Sequence, residues 1–338
     1  MAEKFSIVIT VRNEVANIQA VVDGLLDQNL PPDEIVIVDG KSSDGTTGLL
    51  RAYEEQGRIR LLVEDCNIAR GRNLGVAVAR NAWIAVTDAG CRIDPDWLAS
   101  IDRCLGAHPG TDVIAGNFAF EIHNKFEEAS VLATDAPDRE VSDSARYYPS
   151  SRSIAFSKVA WAAAKGYPEW LYAAEDTLFN IRLRQLGFKF EFCKSAIVTW
   201  RPRASVRGFM RQYFNYALGN GRVGIGTHGY LTNLQFHGAA LFFLLAGLAW
   251  LPLALVGIGI FSLHVKRHLW EQARVASHGS STPVMRWRVL AIMELMRLVG
   301  MAGFLAGRWE RWRDPSFIAN QRAWMGIGSL DELGPGGY

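Results

Sequence analysis

The chain has 338 residues, 49% of them hydrophobic, which is enough for one large domain and a further module. A formal net charge of +2 at pH 7 argues against a nucleic-acid footprint spread over the surface, so no nucleic-acid partner is expected. Cys66, Cys91, Cys104 and Cys193 are scattered without a C-x-x-C pair, which suggests neither a zinc site nor a disulfide framework and fits a reducing compartment.

The chain opens on an apolar, β-branched run, FSIVITV, without the apolar core and small-residue cleavage site of a secretory signal. The domain that begins there is therefore expected to stay in the cytosol. Next, RNEVANIQAVVDGLLDQ places Ile18, Val21, Val22, Leu25 and Leu26 at helical spacing. DEIVIVDG reads as a second strand, KSSDGTTGLLRAYEEQ as a helix with Ser/Asp caps, and IRLLVED as a third strand. ARGRNLGVAVARN is helical, and AWIAVTDAG is a fourth strand. This alternation predicts an α/β fold built on a parallel sheet with right-handed crossovers. Ligands of such sheets lie beyond the carboxyl ends of the strands.

From Asp94 to Arg207 the pattern is mixed: DVIAGNFAFE reads as strand, EWLYAAEDTLFNIRLRQLG as helix and KFEFCKSAIVTW as strands. The polar loop between them, TDAPDREVSDSARYYPSSRS, has the composition of a mobile connection. Between Arg222 and Lys266 there is no Asp, Glu, Lys or Arg. As one helix, the apolar stretch from Phe236 to Val265 would run ~45 Å, longer than a bilayer core of ~30 Å. The choices are one tilted helix kinked at Pro252, or a re-entrant hairpin broken near it, with a buried core helix as the alternative. A second apolar segment from Val289 is interrupted by Glu294 and Arg297, whose spacing lets them pair, and its Gly303 and Gly307 offer a small-x-x-x-small packing face. Arginine and lysine flank both segments, which favours a re-entrant or interfacial arrangement over two crossings. The expected division is a catalytic domain at 1–222, a membrane-associated helical region at 223–313 and a tail at 314–338.

In a parallel sheet the strand tips are neighbours, so Thr10, Arg12, Asn13, Glu14, Asp39 and Asp88 converge on one crevice. DGKSSDGT is rich in turn formers that let backbone approach a ligand. No G-x-G-x-x-G follows the first strand, so a dinucleotide fingerprint is absent. A nucleoside diphosphate still fits: Asp39 can accept from a pyrimidine ring nitrogen, and Arg70 or Arg72 can meet the phosphates.

Taken together, SIVITVRNEVANI, EIVIVDGKSSDGT, ARGRNLG, TDAG, AAEDTLFNIRLRQLGFKF and the apolar tail resemble, in order and spacing, a family 2 inverting glycosyltransferase with the GT-A fold. The resemblance covers residues 4–215 and implies a UDP- or GDP-sugar donor, with membrane helices following the domain. It implies that Thr10, Arg12 and Glu14 line the nucleotide site, that Asp39 holds the base and Arg72 the base or phosphates. Asp88 becomes the first carboxylate of the family's D-x-D, a ligand for Mg²⁺ or Mn²⁺, and Asp176 matches the catalytic base. Glu175, beside it, is a packing or acceptor residue.

The departures bear on the metal. Gly90 stands at the second Asp of that motif, and Trp200 where relatives often place a metal-binding histidine. Asp94 reads as a helix cap with Pro95 at the first helical position rather than as a substitute ligand. Arg203, Arg207, Arg211 and Arg222 are candidates to replace the cation's charge on the diphosphate, or to form a basic face on anionic lipid. Glu175, Trp200, Arg203 and Arg211 are the candidates for acceptor or diphosphate contacts. Trp161, Trp170 and Trp200 either stack on sugar or pack, and Cys91 reads as a small buried residue. FMRQYFNYALGNGR lacks the Q-x-x-R-W acceptor pattern of processive relatives, which argues against a chain-extending polysaccharide synthase.

The expected function is sugar transfer from the nucleotide donor to a lipid-linked or envelope glycan acceptor, by a protein of the inner membrane with its catalytic domain in the cytoplasm. The rivals are a polyprenyl-phosphate sugar synthase and a non-catalytic, glycosyltransferase-like membrane scaffold.

Overall fold

The computed structural model of the chain describes residues 3–134, 148–276 and 283–333. Most of the polar loop 134–153 and the end of the tail lie outside these residues. In chain order the elements are β1 (Phe5–Val11), α1 (Ile18–Leu26), β2 (Glu34–Asp39), α2 (Thr46–Glu55), β3 (Arg60–Val63), α3 (Ile68–Val78), β4 (Trp83–Asp88), β5 (Cys91–Ile93), α4 (Trp97–Ala107), β6 (Val113–Phe120) and α5 (Lys125–Thr134). There follow β7 (Ile154–Ser157), α6 (Lys158–Ala163), α7 (Glu175–Gln185), β8 (Phe190–Trp200), α8 (Val206–Val223), α9 (Thr227–Ala246) and α10 (Leu251–Val265). A π-helical turn (Lys266–Trp270), α11 (Glu271–Ala276), α12 (Pro283–Arg313) and α13 (Ser316–Met325) complete the described chain.

The chain forms two compact units. The first, residues 3–121 and 148–201, is built on an eight-stranded sheet in the order β3-β2-β1-β4-β7-β6-β8-β5. The strands β3, β2, β1 and β4 are parallel, as the alternation of strand and helix predicts. Beyond β4 the sheet is mixed, because β7 runs antiparallel to both neighbours and β5 antiparallel to β8. The short connection from β4 to β5 has no room for a crossover helix, so β5 turns back to pair β8 instead.

β1 and β2 are buried on both faces, which is why they read as continuous apolar runs rather than alternating ones. On one face α1 inserts Ile18, Val21, Val22 and Leu25, joined by Trp97 and Ile101 of α4. On the other, α3 packs so close to β1 that a Cβ at Gly71 would lie 2.9 Å from the Thr10 methyl, and one at Gly75 would collide with Val8. The glycines of ARGRNLG thus let the helix lie against the strand and deliver Arg72 to the strand tips. Each aliphatic chain buried in these layers contributes about 1.5–3 kcal/mol.

The second unit, residues 122–134, 202–276 and 283–333, is helical. α8 belongs to it: the helix packs along α12, where Cβ atoms at Gly303 and Gly307 would collide with the Phe214 and Leu218 carbonyls. The expected small-x-x-x-small face is therefore a real packing seam. By compactness, the helical unit takes residues 122–134 as well as those from 202 onward. The apolar stretch 236–265 is neither a single helix nor a kinked one; α9 and α10 form a hairpin whose turn ends at Trp250. Pro252 sits in the first turn of α10, where its missing N–H costs nothing. Among the described residues, Val284–Arg313 is the helix long and apolar enough to cross a bilayer, by length and composition, with a mean hydropathy of 1.8 over its most apolar 18 residues.

Candidate active site

Parallel register places Thr10 beside Val38 on one side and Asp88 on the other, so the tips of β2, β1 and β4 form one row. The loops beyond them are tied together. Asn13, in a left-handed conformation (φ 57°), donates its N–H to Ser42 Oγ at 2.8 Å and accepts from Ser43 N at 2.9 Å. Glu14 N donates to Thr46 Oγ1, and Val15 N to Asp44 Oδ2. Asp39 is fully buried at the root of this bracket: Oδ1 accepts from Ser42 N (3.0 Å) and Ser42 Oγ (2.6 Å), and Oδ2 from Thr47 Oγ1. Its first role is to fix the loop. Arg12 is exposed, Glu14 is half-buried, and the Thr10 hydroxyl is buried without a hydrogen-bond partner.

One row across, Arg72 is 2% exposed and bridges two carboxylates: Nη2 to Asp88 Oδ1 at 2.9 Å and Nη1 to Glu175 Oε1 at 2.8 Å. The guanidinium lies 5.3 Å from the centroid of the Tyr167 ring. Burial alone would disfavour its charge, but Asp88 and Glu175 outweigh it and hold Arg72 more firmly protonated than usual. Ala174, left-handed at φ 67°, swings the chain into α7 so that Glu175 and Asp176 both fall in its first turn. They then part. Glu175 turns inward to Arg72, and burial followed by the charge of Asp176 pushes its carboxyl above the usual range, partly offset by Arg72. Asp176 stays half-buried, its Oδ1 accepting from the Thr177 N–H at 2.7 Å. Glu175 is thus a partner of Arg72.

Arg152 is the site residue that the sequence did not single out. Its Nε lies 4.0 Å from Asp88 Oδ2, and its guanidinium is 4.4 Å from the centroid of the Trp200 ring. Trp200 ends β8 opposite Cys91 and packs on Phe120, so the residue at the expected histidine position is a platform for an arginine. Gly90 is open: a Cβ there would meet nothing within 4 Å. Asp94 accepts from Asp96 N and, through its carbonyl, from Trp97 N, which organises the entry to α4. The helix itself starts at Trp97, so Pro95 lies ahead of it rather than at its first position.

The other arginines divide. Arg70 is exposed and pairs with Glu64 and Glu169, each at 3.4 Å. Arg203, Arg207 and Arg211 belong to the second unit and are exposed, while Arg222 there is held by Glu310 at 2.6 Å. Trp161 packs, donating its indole N–H to Asn73 at 3.0 Å. Burial pushes the Cys91 thiol up to about 12, which fits its reading as a small inert residue. Sequence distance concealed one pair: Cys104 and Cys193 are neighbours, with the Cys193 thiol donating to the Ser100 carbonyl at 3.3 Å.

A sheet that starts as parallel β3-β2-β1-β4, turns mixed, and carries its acidic residues at the strand tips defines the GT-A class of nucleotide-sugar transferases. Residues 6–153 match the profile of glycosyl transferase family 2, so this part of the chain is a glycosyltransferase domain of that family. It is 22% identical over 222 residues to the O-antigen chain rhamnosyltransferase RfbN of Salmonella typhimurium, covering 63% of this chain and 71% of that one. It is 30% identical over 126 residues to the glycosyltransferase AglE of Haloferax volcanii, covering 35% and 40%. Among solved structures it is similar to the mannosyltransferase PcManGT of Pyrobaculum calidifontis, in complex with GDP-Man and Mn²⁺, with a TM-score of 0.56 and 16% identity over 90% of this chain and 88% of that one. At that identity the likeness shows the fold.

Proposed function

We propose that the chain transfers a sugar, with inversion, from a UDP- or GDP-linked donor to a lipid-linked or envelope glycan acceptor at the cytosolic face of a membrane. The observation that carries this reading is the parting of Glu175 and Asp176. Arg72 engages the first and leaves the second, from the same helical turn, accessible beside the Asp88 cluster. An inverting transfer needs one carboxylate to take the proton of the acceptor hydroxyl as that oxygen attacks the anomeric carbon opposite the departing diphosphate. Asp176 takes that proton. Asp39, whose Oδ2 retains a further acceptor position while Oδ1 is filled by Ser42, reads the base, and Thr10, Arg12 and Glu14 line its pocket.

The residues around Asp88 do not fit a tightly held divalent ion. A single carboxylate already faces two guanidinium groups, and Gly90 supplies no second ligand. At 4 Å, a unit positive charge repels another by about 4 kcal/mol at an effective dielectric of 20. Arg152, with Arg72 behind it, instead meets the negative charge that develops on the leaving diphosphate.

The membrane reading rests on the second unit, where Leu241, Phe242, Leu245, Leu248, Trp250 and Leu251 are each more than half exposed along the α9–α10 hairpin. The basic side chains Arg203, Arg207 and Arg211 suit anionic lipid. The name of the Salmonella relative supports an envelope glycan as product. Calorimetric titration of UDP and GDP into detergent-purified protein, in EDTA and then with Mn²⁺, tests the donor site. Binding of one nucleotide with similar affinity in both conditions is expected, and binding of neither overturns the reading in favour of a scaffold.

A further inference from the structure

A cluster outside the catalytic unit has the chemistry of a metal site. His237 of α9, His264 of α10 and Glu294 of α12 present ligand atoms that all lie within 4.8 Å of one another. His237 Nδ1 is 2.7 Å from the Asn233 carbonyl, which can only accept, so Nδ1 carries the proton. That leaves the Nε2 lone pair 2.5 Å from Glu294 Oε1. Two lone pairs at that distance require a positive species, either an extra proton or a metal ion. A ring held by an Nδ1–H to carbonyl bond with Nε2 presented inward is also how metal-ligating histidines are commonly oriented.

His264 decides between the two. It is 1% exposed, and neither ring nitrogen has a hydrogen-bond partner; its Nε2 lies 3.8 Å from Glu294 Oε2, which is also without one. A proton shared by His237 and Glu294 would leave this buried imidazole unsatisfied, at a cost of about 1–3 kcal/mol. A tetrahedral ion bound at 2.0–2.1 Å sets its ligand atoms roughly 3.3 Å apart and satisfies all three groups with small side-chain rotations. Arg297, one turn along α12, directs its N–H groups to Asn233 Oδ1 (2.8 Å) and the His268 carbonyl (3.3 Å), so the pairing expected with Glu294 is absent from these bonds. The π-helical turn that begins just after His264 carries His268, whose ring is 5.4 Å from His264 and whose Nε2 also lacks a partner. Such turns recur at functional sites. Glu294 in addition lines a cleft of about 640 Å³ between Trp270 and Trp287, a path for an ion to enter.

We propose that His237, His264 and Glu294 bind one zinc-type divalent ion, with His268 as the fourth ligand, and that the ion clasps α9, α10 and α12 together. Two or three imidazoles and a carboxylate are a donor set suited to zinc.

The test uses the full chain, purified in detergent with its affinity tag removed, loaded with Zn²⁺, passed over a desalting column and measured by elemental analysis alongside thermal unfolding. One zinc per chain and a higher Tm with zinc are expected, and zinc content should fall about tenfold or more in His264→Ala and in Glu294→Gln. The second variant keeps the side-chain shape should the first fail to fold, and donor-nucleotide binding reports the fold of both. Asp88→Asn should keep its zinc, which separates this site from the donor site. Substoichiometric zinc in the wild-type chain with no change in Tm, or equal zinc in the two cluster variants, overturns the proposal and leaves a proton shared between His237 and Glu294.

Discussion

Two buried clusters in this chain hold carboxylates, and they are completed in opposite ways. In the catalytic unit, Asp88 and Glu175 close on the guanidinium of Arg72, with Arg152 near the outer edge of Asp88, so the chain itself supplies the positive charge. In the helical unit, Glu294 faces His237 and His264, and the ring nitrogens of His264 have no partner. A cluster whose charge is complete is a rigid scaffold for whatever stands beside it. A cluster with lone pairs left facing inward is a site that takes something in. The same residue types therefore say different things about function, depending on whether the cation is already built into the fold.

The sharpest way to break the first half of that comparison is to remove its cation. Arg72→Ala leaves Asp88 and Glu175 facing each other with little solvent, and is expected to destabilise the chain by about 3–5 kcal/mol, as other broken buried ion pairs do. The midpoint of denaturant unfolding measures it, and transfer activity should vanish with the site's geometry. Asp176→Asn separates scaffold from chemistry. The residue is half-buried and outside the Arg72 bridge, so unfolding should be unchanged while kcat falls about 10²–10⁴-fold. A variant that keeps near-normal turnover would remove Asp176 from the role of base.

The parallel half of the sheet and its row of tips were legible because continuous apolar runs and helical periodicity leave few alternatives. Asp39, Asp88 and Asp176 were legible as strand-tip and helix-start residues. The partners of those residues were not. Arg72 and Glu175 are 103 positions apart, and nothing local says that Glu175 turns inward while Asp176 does not. Arg152 sits in a polar stretch without periodicity, so its seat on Trp200 depends on where β8 ends. The helical unit was harder still, because α9 and α10 carry no charge to give them a face. A helix of uniform apolarity reads the same whether it turns, spans or packs. There the sequence paired Glu294 with Arg297 by spacing, and tertiary partners on α9 and the π-helical turn took both.

Two smaller effects sharpen the contrast at Asp88. Arg152→Ala removes the outer guanidinium and with it the charge-assisted contact proposed for the diphosphate, so nucleotide-diphosphate affinity should fall about tenfold in EDTA, a loss of about 1.4 kcal/mol, with little change in stability. Gly90→Asp asks the converse question, whether the charge-complete cluster becomes cation-seeking when it receives one carboxylate more. A side chain at position 90 enters open space and needs no left-handed backbone, so the cost to stability should stay within about 0.5 kcal/mol. The new carboxylate lies two residues from Asp88 and gives the pair the D-x-D spacing, in competition with Arg152 for the outer edge of Asp88. Calorimetry of the variant should then show nucleotide binding that strengthens with Mn²⁺, a response not expected of the wild-type chain. If wild type and variant respond alike to the ion, the arginines at Asp88 do not decide metal dependence, and the contrast between the two clusters rests on the helical one alone.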